Sequence, residues 1–527
     1  MLRIYICSFS MILLFIACDN EQGEPTQQDQ RPNILYIMSD DHAEQAISAY
    51  GSQLIQTPNL DRIAREGMLF QNSFVTNSIC APSRATMLTG KFSHLNGLRD
   101  NRDQFDGSQI TFPKLLQKVG YQTAVVGKWH LKTKPTGFDF WRVLVGQGEY
   151  YQPRLVSDKD TTVMPGYVTE VITDVALDFL AKRDTTKPFC LLYHHKAPHR
   201  SWMPHVDDLD MYVNETIPEP PTLFDTYEGR PAAEAADMRI ADMFLSGDMK
   251  LHPDSYPGKD TNTGGAGIGT TVDREAGWLN MYNRLTAEQK VKWDAHYDPI
   301  NQDFKENPPQ GKELISWKYQ RYMKDYLRTV KAVDDQIGRV LTYLEEAGLA
   351  ENTIVVYTSD QGFYLGEHGW YDKRFMYEES LGMPLLIKYP GVIEPGSTSN
   401  ALVQNLDFAP TFLDYAGINI PAEIQGKSMR PIFEQKGSDT WRDAVYYHYY
   451  EYPHGWHMVK QHYGVRTDRY KLIHFYNDID HWELYDLEKD PQEMTNRFDD
   501  PAYADVQMQL QEKLSALREQ YQIHPEK

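Results

Sequence analysis

Cysteine is scarce, with four among 527 residues, too few for a disulfide framework to organise a chain of this size. Positive charge is also short. Lys and Arg number 53 against 74 Asp and Glu, and the net charge of -21 argues against nucleic acid or an anionic membrane surface as a default partner. Charges more than about 8 Å from a site are largely screened at physiological salt, so a local cluster of cations or a metal can still hold an anion. No internal repeat is present. What is there is an ordinary globular composition, rich in tyrosine and tryptophan, in a chain long enough to bury a large core as one large domain or two to three ordinary ones.

The first residues run from Met1 through Arg3 to the apolar stretch Ile12-Leu13-Leu14-Phe15-Ile16-Ala17, which ends at Cys18. That run is too short to span a bilayer. It reads as a secretory signal over residues 1–18, and a small residue followed by Cys resembles the bacterial lipoprotein cleavage site, with Phe15 standing where Leu is commoner. The expectation is an exported protein, periplasmic or on the outer membrane, acylated at Cys18 and touching the membrane only through that anchor. An ordinary secretory signal cleaved nearby is the alternative. Each buried lipid methylene adds about 0.8 kcal/mol, so several acyl chains together suffice to hold it. Residues 19–30 are polar and turn-rich, a linker rather than structure. The mature chain then keeps Cys80 and Cys190. Cys190 lies in the apolar run Phe189-Cys190-Leu191-Leu192-Tyr193 and reads as a small core residue. Cys80, among Ser, Ala and Pro, needs another explanation.

Short apolar runs bounded by polar clusters recur: Asn33-Ile34-Leu35-Tyr36-Ile37-Met38 before Ser39-Asp40-Asp41, Thr123-Ala124-Val125-Val126 before Gly127, the Cys190 run, Thr353-Ile354-Val355-Val356-Tyr357 before Ser359-Asp360, and Pro384-Leu385-Leu386-Ile387-Lys388. They read as buried strands. Helix-like segments at 110–119, 168–183, 317–348 and 407–416 lie between them. Strands alternating with helices predict an α/β fold, a mainly parallel sheet covered on both faces, with ligands beyond the carboxyl ends of the strands. From about Trp441 the pattern changes to aromatic and polar alternation at 445–450, 463–467 and 470–473, expected to form a small antiparallel sheet. A helix follows at 503–521 with Val506, Leu510, Leu514 and Leu517 on one face. The Gly-, Pro- and Asp-rich stretch 224–310 reads as an insertion that shapes a substrate rim.

Cys80-Ala81-Pro82-Ser83-Arg84-Ala85-Thr86-Met87-Leu88-Thr89-Gly90 resembles the signature of the type I, formylglycine-dependent sulfatase family, in which the Cys of such a stretch is oxidised to formylglycine. A reactive thiol at the start of a helix is the second reading. An aldehyde hydrate explains the modification. One oxygen can attack sulfur while the other keeps a proton for the second half of the reaction, whereas a serine would be left as a stable sulfate ester. The resemblance runs from Asn33 to the Tyr485-Asp486-Leu487-Glu488-Lys489-Asp490-Pro491 turn. It implies an alkaline-phosphatase-like mixed, mostly parallel sheet between helices, as a catalytic domain over 31–435 and a C-terminal antiparallel α+β subdomain over 436–527.

The resemblance also assigns roles. Asp40, Asp41, Asp360 and Gln361, two pairs at strand ends, would hold one calcium ion together with the modified Cys80, since converging oxygens suit a hard cation. Capping of helices or turns is the plain alternative for each pair. In Gly127-Lys128-Trp129-His130, Lys128 would neutralise sulfate oxygens and His130 would take the nucleophile's second proton. In His194-His195-Lys196-Ala197-Pro198-His199, His199 would protonate the departing sugar oxygen, with His194 and His195 structural. Lys373 would hold a sulfate oxygen, and Arg84 the formylglycine and its neighbours.

The Ala197-Pro198-His199-Arg200-Ser201-Trp202 and Tyr371-Asp372-Lys373-Arg374 versions of these motifs look like the bacterial branch that includes N-acetylglucosamine-6-O-sulfatases. That branch implies a carbohydrate sulfatase acting on mucin O-glycans or glycosaminoglycan fragments, with a sulfatase-maturing enzyme as partner; exo action on 6-O-sulfated N-acetylglucosamine is the expectation, a closed pocket marking an exo-acting enzyme and an open groove an endo-acting one. Asp372 and Arg374 either contact sugar hydroxyls or pair with each other in a turn. His448 and Glu451, in the aromatic stretch 446–456, are further candidates for substrate contact. Sulfatases of another regiochemistry, a phosphatase or phosphonate hydrolase of the same superfamily, and a non-catalytic glycan-binding lipoprotein are the competing readings.

Overall fold

The computed structural model describes residues 31–258, 260–262, 272–436 and 441–523. The expected signal segment, Cys18 and the linker lie outside them. Among the described residues the largest element is a ten-stranded sheet. Its strands in chain order are β1 (Asn33–Ser39), β2 (Met68–Phe70), β3 (Gln122–Gly127), β4 (Phe140–Leu144), β5 (Arg154–Val156), β6 (Thr161–Val163), β7 (Phe189–His194), β8 (Thr353–Ser359), β9 (Leu385–Lys388) and β10 (Ser397–Ser399). Their spatial order is β10-β2-β9-β8-β1-β7-β3-β4-β5-β6. The centre, β8-β1-β7-β3-β4, is parallel; β9 pairs antiparallel with both β8 and β2.

Strand β1 is apolar at every position from Ile34 to Met38 because both faces of the sheet are covered. Ile34, Tyr36 and Met38 enter one core with Ile354 and Val356, together with Ala81, Ala85 and Leu88 of helix α1 (Cys80–Thr89). Leu35 and Ile37 enter the opposite core with Val355 and Tyr357, against α2 (Val168–Lys182) and α3 (Gly311–Glu346). Full burial of one such aliphatic side chain contributes roughly 1.5–3 kcal/mol. Two sided burial therefore fixes the sheet centre and, with it, the positions of the polar residues that follow each strand.

The C-terminal region forms a four-stranded antiparallel sheet of β11 (Ala444–Tyr449), β12 (His462–Thr467), β13 (Tyr470–Phe475) and β14 (His481–Asp486). Helix α4 (Ala504–Gln520) covers it through Leu510, Leu514 and Leu517, which pack with Val465, Leu472 and Leu484. The sequence pattern does not mark β14, because its central Glu483 interrupts the apolar alternation. That carboxylate is fully buried, and its Oε2 accepts from the hydroxyls of Tyr377 and Tyr485, at 2.7 and 2.8 Å, while Oε1 has no hydrogen-bond partner. Within the stretch 224–310 the chain forms a 20-residue helix, Ala287–Glu306, and the long helix α3 begins six residues before the expected 317.

Candidate active site

Asp40 and Asp41 follow β1 directly, Asp360 and Gln361 follow β8, and Lys128 follows β3. Parallel register brings these strand ends to one level, with Ser39 opposite Ser359. Gly127 makes the approach between β3 and β7 possible: its φ is 99°, and a Cβ there would lie 1.8 Å from the carbonyl oxygen of His194. Helix α3 clamps the turn after β1, since the Tyr326 hydroxyl donates to the Asp41 carbonyl at 2.8 Å and accepts from Ala43 N at 2.9 Å.

Cys80 opens the buried helix α1, so the helix's positive end faces the same floor. Its Sγ lies 3.5 Å from Asp40 Oδ1. Four residues on, the Arg84 guanidinium donates to Asp360 Oδ2 through Nε and Nη2, at 3.0 and 2.8 Å, and to the Lys128 carbonyl at 2.9 Å. Lys128 Nζ donates to Asp40, and Lys373 Nζ donates to both oxygens of Asp41 at 2.6 and 2.7 Å. His199 Nε2 lies 3.7 Å from Asp41 Oδ2.

Three carboxylates are thus matched by three cations, Arg84, Lys128 and Lys373, and all six groups are buried. Even so the carboxylates crowd one another. Burial, followed by the effect of neighbouring carboxylates set against Lys373, leaves Asp41 at about 7, and Asp360 rises to about 6 by burial and Asp40. Burial would raise Asp40 as well, but Lys128 and Arg84 more than offset it and hold that carboxyl below its usual range. Burial pushes the Cys80 thiol far above its ordinary value, so the residue is poorly suited to act as a thiolate.

The donor set fits a hard cation. One oxygen from each of Asp40, Asp41 and Asp360 lies within 4.8 Å of the others. Gln361 Nε2 donates to Asp41, while its Oε1 is buried and accepts no hydrogen bond. An all-oxygen group of three carboxylates and an amide is the chemistry of calcium rather than of zinc.

Above this floor opens a cleft of about 570 Å³, lined by Cys80, His130, His199, Asp372, Lys373, Arg374 and Glu451 among others. His130 Nδ1 is buried without a partner. Burial and then Lys128 depress His130, and burial depresses His199, so both imidazoles are neutral at pH 7 in the free site. His199 Nδ1 lies 2.7 Å from the Arg200 carbonyl, which fixes the proton on that nitrogen and leaves Nε2 toward the floor. Asp41, His130, Asp372 and Arg374 all have left-handed backbone, with φ of 65°, 57°, 78° and 101°. Each costs on the order of 1–3 kcal/mol and is held by its surroundings.

The remaining candidates divide. Arg374 Nε bonds Asp372 Oδ1 at 3.0 Å and its Nη1 bonds Glu451 Oε1 at 2.6 Å. Asp372 and Arg374 are therefore paired with each other and also face the cleft. Glu451 Oε2 accepts from Asn101 N at 3.2 Å, so Glu451 braces Arg374. His448 is not brought to the cleft. Its ring nitrogens meet the hydroxyls of Tyr446 and Tyr476 at 3.0 and 2.8 Å, and its ring stacks on Tyr450, a packing role inside the subdomain. His457 stands on the cleft wall instead, with Nε2 3.4 Å from Asp372 Oδ2. Arg200, Arg274 and Trp456 also line the cleft. No spacing in the sequence singles these out.

The fold and the floor define a hydrolase of sulfuric esters, and the comparisons agree: the chain belongs to the sulfatase family, whose model matches residues 32–418, while a model of the N-sulphoglucosamine sulphohydrolase C-terminal region matches 366–520. It is 52% identical over 97% of its length, and 89% of the relative's, to the N-acetylglucosamine-6-O-sulfatase of Bacteroides thetaiotaomicron. A solved structure described as a complex with its substrate D-glucosamine-2-N,6-O-disulfate superposes with a TM-score of 0.88 at 51% identity, covering 93% of this chain and 98% of that one. A phosphonate monoester hydrolase from Silicibacter pomeroyi, 20% identical with a TM-score of 0.66 over 93% of this chain and 96% of its own, shares the fold.

Proposed function

We propose that this sulfatase removes the 6-O-sulfate from a terminal N-acetylglucosamine of a sulfated glycan, a mucin O-glycan or a glycosaminoglycan fragment, with formylglycine made from Cys80 and one calcium ion. The observation that carries the proposal is the placement of Cys80, a thiol unsuited to ionise, on a floor of three carboxylates and three cations beneath a sugar-sized cleft. The named substrates of the two most similar relatives above support the sugar and the position of the ester.

When bound, calcium held by Asp40, Asp41, Asp360 and Gln361 supplies positive charge to the sulfate oxygens, and formylglycine supplies the attacking oxygen. Lys128 and Lys373 flank that position and hold the charge that builds on the sulfate in the transition state. Arg84 fixes Asp360 and the carbonyl before His130's turn, and so orients the floor. An arriving sulfate ester adds negative charge beside His199, which favours its protonated form. Its Nε2 then donates to the departing sugar oxygen, which is a poor leaving group without that proton. His130, neutral and with a free buried nitrogen, accepts the proton that allows sulfate to leave.

Cys80 is 1% exposed, so a maturing enzyme must reach it before the core closes. Export and a lipid anchor at Cys18 complete the reading, and incorporation of labelled fatty acid that is lost in Cys18→Ala tests the anchor. The mass of the peptide that contains Cys80 tests the chemistry: conversion makes it about 18 Da lighter than the thiol form. An active preparation whose Cys80 peptide carries only the thiol would refute the mechanism.

A further inference from the structure

Most cations that face the cleft are already matched. Lys373 lies on Asp41 at 2.6 Å, Arg374 is held by Asp372 and Glu451, and Arg200 bonds Asp248 at 2.7 Å. Arg274 differs. Its Nε is buried without a hydrogen-bond partner, and among the described residues its guanidinium makes no ion pair. The guanidinium carbon lies 4.6 Å from the ring centroid of Trp456 and 5.3 Å from that of Phe244. Stacking on aromatic faces fixes the plane of a guanidinium and leaves its N–H edge available, the arrangement that receives an oxyanion through parallel hydrogen bonds. Arg200 lies over the same Phe244 ring, at 5.6 Å. Burial and then Arg200 bring Arg274 down to about 10, so it is charged at neutral pH beside a like charge that an arriving anion would offset.

We propose that Arg274, stacked on Trp456 and Phe244, is a second oxyanion site of the cleft, which takes an anionic group of the substrate other than the ester being cleaved. The inference rests on the reading of the cleft as a glucosamine-6-sulfate site. Two sources of such a group are chemically equivalent: an N-sulfate on the same ring, and the carboxylate of a uronic acid joined to it.

The test compares kcat/KM on three substrates for the wild type, Arg274→Gln, Arg274→Lys and Trp456→Ala. The substrates are 6-O-sulfated N-acetylglucosamine, glucosamine 2-N,6-O-disulfate, and a disaccharide of 6-O-sulfated N-acetylglucosamine joined to a uronic acid. In Arg274→Gln the ratio of kcat/KM for at least one doubly anionic substrate to that for 6-O-sulfated N-acetylglucosamine is expected to fall about tenfold or more, through KM. The substrate that falls identifies the source of the anion. Arg274→Lys recovers part of the ratio because the charge remains without the planar fork. Trp456→Ala lowers the same ratio more weakly. Equal losses on all three substrates, or an unchanged ratio for both doubly anionic ones, overturn the assignment. Failure of the wild type to turn over any of the three overturns the reading of the cleft instead, so the two failures are distinguishable.

Discussion

Asp40, Asp41, Lys128, Asp360 and Gln361 on the cleft floor each stand within a residue or two of the end of a buried parallel strand, and burial on both sheet faces sets their positions. The rim is assembled otherwise. Arg200 bonds Asp248, Arg374 bonds Glu451 77 positions away, and Trp456 and Arg274 meet from two different loops. The floor inherits its geometry from the sheet and can serve one reaction without variation, while the rim is free to change the sugar that is accepted.

If that division holds, changes on the floor act on turnover and changes on the rim act on recognition. The largest effect belongs to the nucleophile: Cys80→Ser should lower kcat by at least about 10³-fold with little change in thermal midpoint, read by sulfate release and calorimetry. Lys373→Ala should cost about 10²–10³ in kcat, the scale of one lost transition-state charge contact. Chelation should abolish activity, with recovery on addition of calcium but not of zinc, and should lower the melting temperature because the ion binds only the folded chain.

On the rim, Glu451→Gln should raise KM about tenfold and leave kcat within about threefold, because it loosens Arg374 without touching the floor. A fall in kcat equal to that of Lys373→Ala would erase the distinction between floor and rim. The smallest effect lies behind both regions, at His368. Burial works against its charge, but the hydrogen bond to Asp225 and the carboxylate of Glu379, 3.8 Å from Nε2, raise it from 6.5 to about 9. A raised histidine contributes stability that is fully present below pH 6.5 and is lost as pH rises through 9. His368→Gln should therefore flatten the fall in melting temperature between pH 6.5 and 9, read by calorimetry at the two pH values, with activity unchanged.

The same division decides what was legible in the sequence. Asp40, Asp41, Lys128, Asp360 and Gln361 each adjoin an apolar run, so the strand pattern placed them at one end of the sheet, and the family resemblance carried by the Cys80 motif gave them and Arg84 their expected roles. His130, His199 and Lys373 followed from their motifs. The rim offers no such local signal. Glu451 and His448 lie three residues apart in one aromatic stretch, yet the chain leaves the sheet after Tyr449, and Glu451 turns to Arg374 while His448 stays among tyrosines. Strand β14 was hidden for a related reason, since its buried Glu483 is paid for by two tyrosines that only tertiary structure supplies.

The central claim is regiochemical: the ester cleaved is the 6-O-sulfate of a terminal N-acetylglucosamine. Sulfate release from a panel of monosaccharides and disaccharides, each sulfated at one known position, tests it most directly. The account predicts release from terminal 6-O-sulfated N-acetylglucosamine at a rate at least about tenfold above every other member. Faster release from a galactose, N-acetylgalactosamine or uronic acid sulfate would contradict it.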